Sequence, residues 1–228
     1  MKIAIFGANG ATGRQAVKQA VSRGYAVRAI ELRWPDGADL PPGVETATAN
    51  VMEDDLAPVI EGCDAILSCV GLAFTARTAL DPPPLYTESA RRYLSAMETT
   101  GTERLVVISA SFVETLDRGP LMFRLAARTA LEPIFSQMGE MERILRRSTV
   151  RWTAVRPGWL MAGDLTNDYA ITSDVIAPDT IRTRHADLAH FMLDCLETQI
   201  YDRRTPAIAR PEDREAESGH SLAAEIAH

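Results

Sequence analysis

The chain is short of lysine. Lys2 and Lys18 are the only lysines among 24 basic residues, and every other basic residue is arginine. A catalytic lysine later in the chain is therefore excluded. Cysteine is also scarce: Cys63, Cys69 and Cys195 are odd in number and lack metal-ligand spacing, which suits reduced thiols in a cytosolic protein. No apolar run approaches the roughly 18 residues of a membrane span. Met1-Lys2 opens a strand whose apolar run ends at a glycine, so no export signal is read and a cytoplasmic location is expected. Excess charge of one sign is small as well. The formal net charge is −7, but five acids against one arginine put −4 of it in residues 211–228 and leave −3 for the rest. A body so weakly acidic argues against a nucleic-acid or anionic-membrane partner. The acidic segment 211–228 reads as a poorly ordered tail.

What the chain does have is concentrated in residues 2–13. The apolar run Ile3 to Phe6 leads into Gly7-x-x-Gly10-x-x-Gly13, and a helical pattern with Ala16, Val17, Ala20 and Val21 follows at once. That order predicts a buried strand, a glycine turn and a helix N-terminus, whose unpaired N–H groups and dipole favour a pyrophosphate. Gly7, Asn9, Gly10, Ala11, Thr12 and Gly13 are accordingly assigned to a dinucleotide cofactor.

Further along, strands are expected at 25–32, 44–49, 64–70, 104–109 and 152–156, with a short one near Ile181. Helices are expected at 54–61, 85–100, 133–147 and 186–198. Segments 72–84 and 159–180 read as irregular, and 112–132 as ambiguous. Alternating strands and helices imply right-handed crossovers and an α/β fold, a single-domain Rossmann-like doubly wound parallel sheet over residues 1–210. Ligands of such sheets lie at the carboxyl ends of the strands. This places Asn50, Val51, Cys69, Val70, Gly71, Ser109, Ala110, Pro157, Gly158 and Trp159 along the cofactor. The side chain of Cys69 is itself read as core, and Trp159 as either a stacking wall for a flat substrate or plain packing.

The nucleotide is left open between two residues. Glu31 stands where an acid takes the ribose hydroxyls, which favours NAD(H). Arg33, two residues on, could grip a 2′-phosphate, and the lean is to NADP(H). A carboxylate at the 2′ position repels a phosphate, so only one of the two can face the ribose.

Ketone reduction commonly needs a tyrosine acid with a lysine four residues on to lower its pKa. Four residues after Tyr25, Tyr86, Tyr93, Tyr169 and Tyr201 stand Ala29, Ala90, Met97, Ser173 and Thr205, so the pair is missing. Ser111 is the candidate catalytic residue, able to orient the nicotinamide amide or to donate a hydrogen bond to an acceptor. His185 and His190 lie on a helix expected to pack far from the nicotinamide. Arg143, Arg146 and Arg147 read as a solvated helix face. Flat conjugated acceptors tolerate so sparse a site, because proximity and orientation supply much of the catalysis.

The motifs resemble one group. Lys2-Ile-Ala-Ile-Phe-Gly-Ala-x-Gly-x-Thr-Gly13, Gln19-Ala20-Val21, Gly24-Tyr25-x-Val27, Glu88-x-Ala-Arg91 and Ala96-Met97-x-x-x-Gly101 are similar to the biliverdin-IX-beta reductase / NADPH-flavin reductase group of atypical, NmrA-like short-chain dehydrogenases. The most specific match is Asp187-Leu-x-His-Phe-Met-Leu-x-Cys-Leu-x-Thr198, continuing to Tyr201-Asp202. The resemblance runs from residue 1 to about 204. It implies a single-domain NAD(P)H-dependent reductase of flavins or linear tetrapyrroles, a monomer or weak homodimer, with Ser111 at the active site. Two departures stand out: the group's 2′-phosphate arginine aligns at or beside Leu32, and Gly158-Trp159 stands where the reductase has a histidine. The alternatives are a non-catalytic NAD(P)-binding redox sensor and a reductase or isomerase of a secondary metabolite.

Overall fold

The structure is a computed structural model that describes residues 1–72, 75, 78, 81–117, 124–125, 128–129, 131–213 and 216–217. Parts of segments 72–84 and 112–132, and most of the tail 211–228, therefore fall outside the described residues. An eight-stranded sheet runs through the fold. Its strands are β1 (Lys2–Phe6), β2 (Ala26–Glu31), β3 (Glu45–Thr48), β4 (Ala65–Ser68), β5 (Arg104–Ile108), β6 (Arg151–Pro157), β8 (Ala170–Ser173) and β10 (Pro206–Ala209). They lie in the order β3-β2-β1-β4-β5-β6-β10-β8. Every neighbouring pair is parallel except β10 with β8, which is antiparallel. The fold is thus α/β and Rossmann-like. A separate two-stranded parallel ribbon joins β7 (Trp159–Met161) to β9 (Arg182–Arg184).

Both faces of the sheet are covered, as continuous apolar strands require. Ile3, Ile5, Leu67, Val106 and Val155 pack under α1 (Ala11–Ser22) and α5 (His185–Glu197). Ala4, Phe6, Ile66, Leu105, Val107 and Ala154 pack on the other side with α2 (Ala57–Ile60), α3 (Leu85–Thr100) and α4 (Glu132–Arg147). Successive residues of each strand face opposite layers, so a period of two serves both cores. Parallel pairing of β1 with β2 and β4 brings their carboxyl ends together at Gly7, Leu32 and Cys69.

Two expectations are corrected. Segment 159–180 is not wholly irregular, since it contains β7 and β8. β10 was not anticipated at all: its Pro206-Ala-Ile-Ala209 carries little strand propensity. It is a strand because it is wholly buried between β6 and β8. Its proline is admitted as the first residue of the strand.

Candidate cofactor site

Each glycine of the turn between β1 and α1 has its own physical reason. Gly7 has φ +68°, and a Cβ there would lie 2.9 Å from the Cys69 carbonyl carbon and oxygen and the Val70 nitrogen. A Cβ on Gly13 would stand 1.9 Å from the Gly7 oxygen, so only glycine lets α1 seat against β1. Gly10 is the N-cap of α1 with φ −67° and ψ 169°, an ordinary backbone, and its Cβ would approach the Gly7 oxygen only to 3.2 Å. No side chain caps α1 and its first turn carries no acid. The first amides of the helix are thus left for an anion.

The loop is held from several sides. The Asn9 N–H donates to Glu31 Oε1 at 2.5 Å, and Arg14 Nη1 donates to the Asn9 carbonyl at 2.5 Å. Thr12 Oγ1 lies 2.8 Å from His185 Nδ1 at the start of α5. The helix of His185 was expected far from the nicotinamide; the packing of α1 on α5 brings His185 to the glycine motif, across 173 residues.

A cleft of about 460 Å³ opens at the ends of β1 to β4. Of the residues assigned from sequence, Gly7, Asn9, Gly10, Glu31, Asn50, Val51, Cys69, Val70 and Gly71 line it. Ala11, Thr12 and Gly13 form the first turn of α1 beside it. Arg33 is exposed and is not part of the lining. Leu32, at the strand end where the sequence placed the crevice, also lines the cleft, as do Met52, Leu72 and Leu85, which the sequence did not single out. Leu32 is 63% exposed there, an apolar side chain offered to solvent at the cleft edge. The glycine cradle, the uncapped helix start and the cleft together fit a dinucleotide.

The ends of β5 and β6 are closed by side chains instead. Ser109 Oγ donates to Glu142 Oε1 at 2.7 Å. Glu142 is fully buried and takes a bidentate contact from Arg156, Nε to Oε1 at 2.8 Å and Nη2 to Oε2 at 2.6 Å. Arg146, read from sequence as solvated, reaches in to Glu142 Oε2 at 2.9 Å. Ser111 opens a 3-10 turn (Ser111–Val113), is fully buried, and its Oγ accepts the Ile176 N–H at 2.9 Å. Ala110 and Pro157 are buried beside it. A Cβ on Gly158 would stand 2.3 Å from the Ile181 oxygen, and the Trp159 N–H donates to that oxygen at 2.6 Å. Ser109, Ser111 and Trp159 thus lie outside the cleft lining.

Burial pushes up the pKa of all five tyrosines and all three cysteines. Cys69, inside the wall of the cleft, is pushed to about 12 by burial and then by Glu31, so its thiol stays protonated. Tyr86, whose hydroxyl accepts the Leu72 N–H at 3.4 Å, is raised by burial. Lys2 pairs with Glu45 at the opposite end of the sheet, so no ammonium stands beside any of these phenols at the cleft. Among the described residues no group of three or more His, Cys, Asp and Glu could hold a metal ion. None of their helices is long and apolar enough to cross a membrane.

This fold and this glycine turn define a nucleotide-binding protein, and comparison with known proteins agrees. Residues 7–199 match the family model described as NAD(P)H-binding, and the chain belongs to that family. It is 28% identical over 211 residues to the uncharacterised YwnB of Bacillus subtilis (strain 168), covering 86% of this chain and 92% of that protein. It is 26% identical over 165 residues to YhfK of the same organism, an uncharacterised sugar epimerase, covering 70% and 72%. Among solved structures, a candidate NADH-flavin reductase from Streptococcus pneumoniae TIGR4 superposes with a TM-score of 0.72 at 23% identity, over 92% of this chain and all of that one. A candidate NAD-dependent epimerase/dehydratase from Bacillus halodurans gives 0.77 at 20% identity, over 93% and 95%.

Proposed function

We propose that the chain is an NAD(H)-dependent reductase that passes hydride to a flavin or similarly flat, conjugated acceptor. The observation that carries this reading is the state of the side chains able to act as acids. Burial raises the pKa of every tyrosine and makes each a weaker acid, and none has a neighbouring ammonium to lower it. An acceptor that needs a proton at its reacting atom from the protein is poorly served by such a site. A conjugated ring system takes hydride at an electrophilic ring or bridge atom and its proton from water. The reduced nicotinamide supplies the hydride when bound, and the protein's task is to hold two planar groups in contact.

The residues divide the work. Amides of Ala11, Thr12 and Gly13 face the pyrophosphate, and Glu31 Oε2, left over from the bond to Asn9, accepts the ribose hydroxyls. Arg33 stands outside the cleft, so the geometry supports NAD(H) over the NADP(H) that the sequence favoured. Ser111, assigned to the nicotinamide end from the sequence, is fully buried outside the cleft and accepts the Ile176 N–H, so it positions the segment after β8 and does not touch the acceptor.

The test is NADH and NADPH oxidation with FMN as acceptor, against a no-protein control. NADH should bind at least about tenfold tighter than NADPH, because a carboxylate at the 2′ position repels a phosphate. Glu31→Gln should narrow that ratio in a fluorescence titration. An unchanged ratio would remove Glu31 from the ribose. Ser111→Ala should lower the melting temperature with the NADH Kd unmoved, as expected of a buried hydrogen-bond partner away from the cleft. Tight NADH binding without any oxidation of it would favour a sensor.

A further inference from the structure

β9 carries two arginines two residues apart, so both lie on one side of the strand. Arg182 is fully buried, and its Nε donates to the Ala216 carbonyl at 2.7 Å. Arg184 grips Glu212 with both arms, Nε to Oε1 at 2.7 Å and Nη2 to Oε2 at 2.9 Å. Arg210 Nη1 reaches the same Oε1 at 2.8 Å. The Glu212 side chain is 6% exposed, whereas Arg184 and Arg210 keep 24% and 17%. The arm that delivers it is laid against β9 by the Arg210 N–H, which donates to the Arg182 carbonyl at 3.0 Å. Beyond it the Glu212 N–H donates to Glu217. Space for the Arg184 side chain comes from Gly163, where a Cβ would lie 2.8 Å from Arg184 Cδ.

The position of this cluster matters. β9 pairs with β7, which starts one residue after Gly158 at the end of β6. Arg184 immediately precedes His185, which touches Thr12 of the glycine turn. Through His185 the cluster is therefore tied to the start of α1, beside the glycine turn. Residues 210–217 lie past the 7–199 that match the family model. A planar guanidinium offering two parallel donors, with a second cation converging on the same oxygen, is the geometry that recognises a carboxylate or a phosphate.

We propose that Arg184 and Arg210 form an anion subsite for a phosphate- or carboxylate-bearing acceptor, and that Glu212 fills it as an internal ligand. This rests on the reading of the protein as a reductase of flat acceptors, and it adds that the acceptor is anionic. Glu212 stays ionised in the contact: the hydrogen bond from Arg184, more than any other effect, lowers its pKa. An incoming anion must displace it, so the apparent affinity is reduced by the fraction of molecules in which the subsite is open.

The experiment has two arms on the full chain. Inorganic phosphate is titrated by calorimetry at fixed ionic strength into the wild type, Glu212→Gln, and Glu212→Gln combined with Arg184→Gln. Glu212→Gln should bind phosphate about tenfold tighter than wild type, and the double variant should lose that gain. Equal binding by wild type and Glu212→Gln would overturn the subsite. In the second arm FMN and riboflavin, which share a ring system but not a phosphate, are titrated by flavin fluorescence. Glu212→Gln should gain affinity for FMN and not for riboflavin. A gain for phosphate without one for FMN over riboflavin would overturn the link to the acceptor. Should Glu212→Gln melt early, Glu212→Ser, which also removes the charge, gives the same comparison. Absence of NADH oxidation by any flavin, with the phosphate result intact, would defeat the flavin reading and leave the subsite standing.

Discussion

Gly10→Val is expected to yield a protein that folds and melts like the wild type yet binds NADH at least about 100-fold more weakly. Gly10 has a backbone any L-residue adopts, and the nearest atom to its Cβ is the Gly7 oxygen at 3.2 Å. The residue is exposed, so the added methyls displace no core atom. They do occupy the cleft wall in front of the uncapped amides of α1. Two lost charge-assisted hydrogen bonds at roughly 1.5 kcal/mol each correspond to about that factor. Gly13→Ala should do the reverse. Its Cβ would stand 1.9 Å from the Gly7 oxygen, so β1 and α1 must part. Overpacking of that kind costs about 3 kcal/mol, and the melting temperature should fall by roughly 6–12 °C. Thermal melts and NADH titrations on the two variants separate the effects. Retained NADH affinity in Gly10→Val would withdraw the phosphate-loop assignment.

Arg156→Ala is expected to be the most destabilising single change outside the glycine turn. Arg156 is fully buried and serves three partners from three segments: Glu142 of α4, Glu114 after the 3-10 turn, and the Asp174 carbonyl after β8. Removing the guanidinium leaves the buried Glu142 with only the half-exposed Arg146 as an ionic partner among the described residues. Breaking a buried pair from one side costs about 3–5 kcal/mol. For a chain of this length that is a fall of roughly 6–20 °C. Replacing both partners, as Arg156→Met with Glu142→Leu, should recover at least half of the loss, because no charge is left stranded. Chemical denaturation of the single and double variants checks this. A single variant within about 1 kcal/mol of wild type would show that water or a neighbour takes over from Arg156.

How far the sequence could be read follows the range of the interactions. The β1–turn–α1 unit was legible because its constraints act over a dozen residues, and the structure places all three glycines as expected. The parallel order was legible from the alternation of apolar strands with helices. Thr12–His185 was not, because it depends on two helices meeting on one face of a finished sheet. Glu142 did carry a signal that went unused. It sits on the helix face of Met138, Met141 and Leu145, and an acid on an apolar stripe calls for a buried cation. Glu31 and Arg33 could not be ranked without knowing which side chain enters the cleft, and a residue's place in a strand end fixes that only once the neighbouring turn is built. β10 escaped because its burial, not its composition, makes it a strand.

That last strand sets the order in which the molecule can be completed. β8 leaves the ribosome more than thirty residues before its partner, and β6 is exposed along one edge until Pro206–Ala209 arrives to fill the gap between them. At roughly 5–20 residues per second this interval lasts seconds, long compared with the docking of β1 to β4 and their helices. A growing chain can thus pair β1 to β4 while β6 still waits for its final strand, but α1 gains its cover only when α5 follows, so the nucleotide half and the far half are finished within a few dozen residues of each other.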